Sequence, residues 1–477
     1  MKVSVLVAAA LTAAPLPEVA AHPGMGDTIK EIKQIASRSW GGTSTWGGSK
    51  SPWTSNQGQS SWSGQSNGGN GGSSGSWPGQ SSQGQGGWSG DGFNPRSLIG
   101  DLRTAKSLTS VGSDIKKILQ GTGNPTSRER YFGCPSINSN RCKRDTCCVW
   151  QYISNELQDK FRGRAGRCTK WARFAVRLGF HDAGTWSLEG ESRGGGADGS
   201  IILAGELSRD ENAGLGQIGE YYQTIYDKYR TRYGFTQVTM ADLIQMGSNV
   251  AAVTCPLGPR VRSFVGRRDS NRPSPENLMP SVDSDAMTLI NLFKDKTIGP
   301  DDLVALIGAH TTSQQHHIDP ERAGDPQDTT PGVWDILFYQ QTLDQDAPKR
   351  VFKFPSDEVL AQHPITKPAF EAFASGTSGQ AAWNQDYARA YVRLSLLGVD
   401  NVNDLTECTK VLPQPVESYR SRDQGRLNKW LQSDDGSWAS KGISKEIEDG
   451  YEISTPENKI PTKRLPWTKW TSLFKWW

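Results

Sequence analysis

No stretch of this chain keeps an apolar/polar alternation at a two-residue period. A half-buried strand needs that period, because successive side chains leave opposite faces of the sheet. Apolar residues recur instead at three- and four-residue spacing, as one face of a helix requires. They do so over 145–161, 168–181, 240–253, 283–293, 300–310, 332–343 and 381–397. Pro300, Asp301 and Asp302 form a helix start, with both acids at the positive end of the helix dipole. The sequence therefore predicts an all-α domain over about 93–430.

The flanks read differently. Residues 1–21 have the layout of a secretory signal: Lys2, an apolar run Val3 to Ala14, and small residues at Val19, Ala20 and Ala21. That run is too short to span a bilayer. The expected product is secreted and extracellular, where disulfides are permitted. Residues 22–92 form a low-complexity tail. From Trp40 to Gly90 it is Gly, Ser, Gln and Asn with isolated tryptophans, and it lacks the apolar surface to offset chain entropy. It reads as a flexible linker, and its indole rings also suit stacking on polysaccharide or lignin. Residues 431–477 form a C-terminal extension, and its last stretch, PWTKWTSLFKWW, reads as a weakly ordered terminus, with a membrane-surface or partner-binding tail as the alternative. A net charge of +3 is too balanced to predict nucleic-acid binding. The seven cysteines leave at least one unpaired within the chain.

Two short stretches carry chemistry. In RLGFHDAG, Arg177 and His181 are four residues apart and share a helix face. An isolated pair of this kind is ordinarily a structural feature. In DDLVALIGAHTTS, however, Leu303, Leu306, Ile307 and His310 form one stripe, which places a second imidazole at the end of a buried helical face. A neutral imidazole there is a plausible metal ligand. From residue 93 onward the chain has five histidines, and two stand in these settings.

With GGGADGS at 194–200 between them, these stretches resemble the secreted haem peroxidases of the plant peroxidase superfamily, class II fungal branch, over roughly 134–413. The resemblance implies two helical halves sandwiching haem b, and a peroxidase that uses hydrogen peroxide to oxidise phenolic or aromatic donors by one-electron steps through a ferryl state. It makes His310 the iron ligand and Asp357 its carboxylate partner. His181 becomes the acid–base group and Arg177 the stabiliser of developing negative charge. Asn212, backed by Glu206, would hold the His181 tautomer. Two calcium ions are implied. One takes Asp182, Gly196 (through its carbonyl), Asp198 and Ser200. The other takes Thr311, Asp328, Thr330, Val333 (carbonyl) and Asp335. These are the hard oxygen donors calcium requires. By resemblance Cys147 pairs with Cys408, Cys168 with Cys255, and Cys148 with Cys134, Cys142 being the other available partner. The protein is expected to be a monomer.

The chain also departs from its relatives. Where manganese-oxidising members carry acids it has Lys170, Phe174 and His316, and where high-potential members carry a surface tryptophan it has Ala305. Trp334 and Trp383 are other candidate rings for such a route. Phe180 stands where class I enzymes have tryptophan. Small phenols at the haem edge, lined near Pro280, remain as donors. The rival reading is a Trp-rich surface or polymer-binding protein with a degenerate peroxidase domain.

Overall fold

The computed structural model describes residues 93–434 and 436–461, and residues 94–461 belong to one compact unit. The expected signal, nearly all of the low-complexity tail and the PWTKWTSLFKWW stretch lie outside the described residues. The fold is helical, as the periodicity predicts. The helices that build the site are, in chain order, α1 (Cys148–Phe161), α2 (Lys170–Ala183), α3 (Met240–Thr254), α4 (Pro300–Ile307), α5 (Leu337–Leu343), α6 (Pro355–Gln362), α7 (Gly376–Leu394), α8 (Gln424–Leu431) and α9 (Trp438–Glu448). The strands among the described residues are β1 (Phe264–Val265) and β2 (Thr406–Glu407), paired antiparallel with Phe264 opposite Glu407. No described helix is long and apolar enough to cross a membrane.

Helix α3 is the centre of the first half. The Thr239 hydroxyl caps it by accepting from Asp242 N at 3.1 Å, and all its residues are buried. It packs against α1 and α2. Glycine sets the closeness of that packing: a Cβ on Gly179 of α2 would lie 2.7 Å from Ser248 Cβ of α3. Helix α4 packs on α7 in the second half. Pro300 and the two aspartates stand in its first turn, as the sequence predicts. The helix then tightens into a 3-10 segment, Gly308–Thr312, which carries His310. The predicted helix over 332–343 is shorter, Leu337–Leu343, because residues 328–335 form a loop around buried carboxylates.

The expected boundary at 430/431 falls inside α8. Leu427, Trp430, Leu431, Ile443, Ile447, Ile453 and Ile460 form a buried cluster of their own. This C-terminal module is clamped to the rest. Arg167 donates to Asp423, and both side chains are buried. Ala165 N donates to Gly450 O at 2.8 Å, and Arg350 N donates to Leu431 O at 3.0 Å. Residues 431–461 are thus packed structure.

The cysteines require one correction. Cys147–Cys408 and Cys168–Cys255 are bonded as expected, but Cys148 pairs with Cys142 and not with Cys134. Cys134 is a free thiol whose sulfur lies 3.6 Å from that of Cys148. Cys142 and Cys148 stand on adjoining helices, Asn140–Arg144 and α1, and this places the two sulfurs together.

Candidate active site

Helix α2 presents Arg177 and His181 on one face, with Arg177 Nε 3.2 Å from His181 Nε2. Arg177 is anchored from behind: Nη1 donates to Ala213 O at 2.6 Å and Nη2 to Glu211 O at 3.0 Å. Burial lowers its pKa to about 10, so it stays cationic at neutral pH. His181 Nδ1 is 2.7 Å from Asn212 Oδ1, and Asn212 Nδ2 donates to the backbone carbonyl of Glu206 at 2.9 Å. A carbonyl can only accept, which turns the amide oxygen of Asn212 toward the ring. His181 therefore carries its proton on Nδ1. Burial, and then the charge of Arg177, lower its pKa to about 3, so the ring is neutral.

Glu206 does not reach Asn212 with its side chain. Its carboxylate accepts from Ser274 N at 2.8 Å and from the Ser274 hydroxyl, and it pairs with Arg209 at 3.1 Å. Nothing local in the sequence marks Ser274 or Arg209.

On the other segment, His310 Nδ1 lies 3.0 Å from Asp357 Oδ2, on the first turn of α6. That leaves Nε2 as the ring's available nitrogen. Phe338 and Phe354 stand edge-on to the ring, at 5.7 and 5.4 Å between centroids. An imidazole with one nitrogen engaged by a buried carboxylate, between aromatic walls, suits ligation of the iron in a flat apolar macrocycle. The two histidine segments converge. A Cβ on Gly214 would lie 2.9 Å from His317 Nε2 and 3.7 Å from Arg177 Nη1. His317 thus adjoins the Arg177 pocket, a placement that the bare sequence does not show.

Both sets of candidate calcium ligands come together. Asp182 is buried, and its Oδ1 has no hydrogen-bond partner among the described residues. Its Oδ2 accepts from Gly199 N at 3.2 Å, and Asp198 Oδ1 accepts from Ser200 N at 3.0 Å. Gly196 O accepts from Asp198 N at 2.8 Å. Burial, then the charge of Asp198, push the Asp182 carboxyl well above its ordinary range. In the second set the Thr311 hydroxyl bridges Asp328 and the Val333 carbonyl, the latter at 3.2 Å. Thr330 N donates to Asp328 Oδ1 at 2.8 Å. Burial raises the Asp335 carboxyl to about 6, and burial followed by Asp335 raises Asp328 well above its usual value. Among the described residues no three acidic, His or Cys side chains gather as a metal cluster. Each set here has two carboxylates completed by hydroxyl and carbonyl oxygens. Buried Asp182 beside half-buried Asp198, and the buried pair Asp328 and Asp335, favour a bound cation that keeps them ionised, and the donor class fits calcium.

The remaining candidates are placed as follows. Pro280 is half-buried, and its neighbour Met279 reaches the end of α2, where a Cβ on Gly184 would lie 3.2 Å from the Met279 sulfur. Lys170 Nζ pairs with Asp449 Oδ1 at 3.4 Å, and His316 Nε2 pairs with Glu448 Oε1 at 2.8 Å. Phe174 stands edge-on to Trp171. Ala305, Trp334 and Trp383 are fully buried.

Comparison with known proteins identifies the family. The family model for peroxidase matches residues 153–376, a span that contains Arg177, His181, Glu206, Asn212, His310 and Asp357. A peroxidase of Arthromyces ramosus is 31% identical over 306 residues, covering 60% of this chain and 80% of the relative. Ligninase C of Trametes versicolor is 29% identical over 65% of this chain and 86% of its own. Manganese peroxidase 3 of Phlebia radiata is 28% identical over 60% and 82%. The chain belongs to the peroxidase family, in its class II fungal branch, and is a haem peroxidase enzyme.

Proposed function

We propose that this enzyme is a secreted peroxidase that oxidises small phenolic donors in one-electron steps. It would hold haem b through His310 and two calcium ions through the sets built on Asp182 and Asp328. Bound haem would supply the two electrons that reduce the peroxide. The chain's own residues do the proton work. His181, with its proton on Nδ1, offers the Nε2 lone pair to the first peroxide proton and passes that proton to the departing oxygen. Arg177, fixed by two carbonyls, stabilises the negative charge that develops there. Asn212 holds the ring and its tautomer. Asp357 fixes the orientation and tautomer of His310 through Nδ1. The observation that carries this reading is the His181–Asn212–Glu206 carbonyl chain, because it presets the proton acceptor before any substrate arrives.

The donor class follows from what surrounds the site. Lys170 and His316 are already paired with Asp449 and Glu448, so an ammonium and an imidazole occupy positions where Mn(II) would need uncommitted oxygen donors. Buried Ala305 presents no ring to solvent. Steady-state assays with a phenol, Mn(II) and veratryl alcohol side by side test the reading. The expected result is peroxide-dependent phenol turnover with weak activity on the other two. Saturable Mn(II) turnover at the phenol rate overturns the donor assignment, and absence of a Soret band on the purified protein overturns the whole reading. The rival, a polymer-binding protein with a degenerate peroxidase domain, has no degenerate position in the catalytic set to support it.

A further inference from the structure

Trp334 and Trp383 are both fully buried, and their rings stack at 5.3 Å between centroids with planes 5° apart. Trp383 lies directly on the segment that bears His310. Its Nε1 donates to Ala305 O at 2.9 Å, and a Cβ on Gly308 would lie 2.6 Å from its Cε2. A second aromatic line joins the same ring to the histidine. His310 meets Phe338 at 5.7 Å, Phe338 meets Tyr339 at 5.2 Å, and Tyr339 meets Trp383 at 5.5 Å. Beyond the pair, Trp334 meets Tyr387 at 4.7 Å and Tyr387 stacks on Tyr391 at 5.7 Å. Tyr339, Tyr387 and Tyr391 are buried as well. The line therefore runs inward from the histidine and reaches no surface.

We propose that the stacked Trp334–Trp383 pair is an internal, reversible store for one oxidising equivalent produced in the peroxidase reaction. The proposal rests on His310 being the haem ligand. Reduction of hydrogen peroxide to water leaves the haem centre short of two electrons. The pair gives up one of them and becomes a cation shared between two indoles. No proton need leave. The Trp383 N–H faces a backbone carbonyl, which accepts a hydrogen bond but is too weak a base to take the proton. The Trp334 N–H has no hydrogen-bond partner among the described residues. Tyrosine is a poorer terminus, because its oxidation at neutral pH requires loss of the phenolic proton, and Tyr339 donates that proton to the Val304 carbonyl at 2.8 Å. Burial makes the indole cation costly, so only a strong oxidant fills the store and the charge returns readily. A phenol at the haem edge then loses one electron and one proton, the electron refills the pair, and two phenols are still consumed per peroxide. Unlike an exposed tryptophan, this pair serves no external donor.

The test uses the holoenzyme, with the Soret band and phenol turnover checked first. Absence of a Soret band in the wild type would refute the His310 reading and with it the store, whereas failure of the radical tests below with the band intact refutes the store alone. Freeze-quenching with hydrogen peroxide and no donor should give a tryptophan radical by electron paramagnetic resonance. Ring-deuterated tryptophan in the wild-type protein should narrow that signal. The double variant W334F/W383F should lose it, Y387F should keep it, and repeated peroxide doses should bleach the double variant's haem faster. Wild-type peptide mapping after such doses should find oxygenated tryptophan at 334 or 383, which decides the matter even if the double variant fails to fold. An unchanged line shape on deuteration, a full signal in a double variant with normal Soret absorbance, or oxygenation confined to other tryptophans overturns the proposal.

Discussion

One amide decides which nitrogen of His181 carries the proton. Asn212 gives its N–H to a carbonyl, so its oxygen must face the ring. Replacing His181 with Ala should leave haem bound and slow peroxide activation by at least ~10²–10⁴-fold, the usual range for a lost acid–base group. Stopped-flow measurement of the Soret change reads this, and a wild-type rate would remove His181 from its role. At this scale the sequence is legible where side-chain identity carries the chemistry, as at Arg177, His181 and His310. It is less legible at Glu206, which supports Asn212 through its backbone while its carboxylate binds Ser274 and Arg209. A side-chain motif says nothing about a carbonyl. The same holds for Cys134 and Cys142, because spacing alone does not fix disulfide connectivity.

Helix α9 joins parts of the chain that are far apart in sequence. Its Ser444 hydroxyl donates to Gly324 O at 3.0 Å, Gln314 Nε2 donates to that hydroxyl at 3.2 Å, and Arg173 Nη2 donates to Glu448 O at 3.3 Å. Two of the module's carboxyls have lowered pKa values. For Glu448, burial pushes upward, but the bond from His316 and the charges of Arg173 and Lys170 outweigh it. For Asp423, burial is likewise outweighed by Arg167. A depressed carboxyl contributes stability that is complete above its unfolded pKa and is lost as pH falls through the folded one. The module's attachment should therefore hold at pH 6 and weaken below about pH 4, near the unfolded carboxylate range. Hydrogen exchange over 424–460 at the two pH values measures it, and equal protection would show that apolar packing alone holds the module. The long helices are legible from their 3.6-residue period. Leu427, Trp430 and Leu431 carry the same spacing in α8, as do Ile443 and Ile447 in α9, but such short runs are weak signals amid polar sequence.

Across the whole molecule, the two sets of candidate calcium ligands stand beside the two histidine-bearing segments. Exhaustive chelation should lower the melting temperature and disturb the Soret band, because Asp328 and Asp335 would then be left as a buried, mutually repelling pair. Unchanged melting after metal analysis confirms calcium loss would remove both sites. Deleting residues 22–92 should leave phenol turnover intact, because every candidate catalytic side chain lies within the unit beginning at residue 94. If the tail also tethers the enzyme, the deletion should weaken retention on insoluble cell-wall material, and equal retention would leave it a linker. The C-terminal clamp has a further consequence for how the enzyme is made. Chains leave the ribosome from the N-terminus, and their parts begin to fold in that order. Arg173, Lys170 and His316 are synthesised long before Ser444, Glu448 and Asp449, so during translation those groups exist without their partners. A chain stopped before residue 438 would contain every catalytic group and still expose the loop that follows His310.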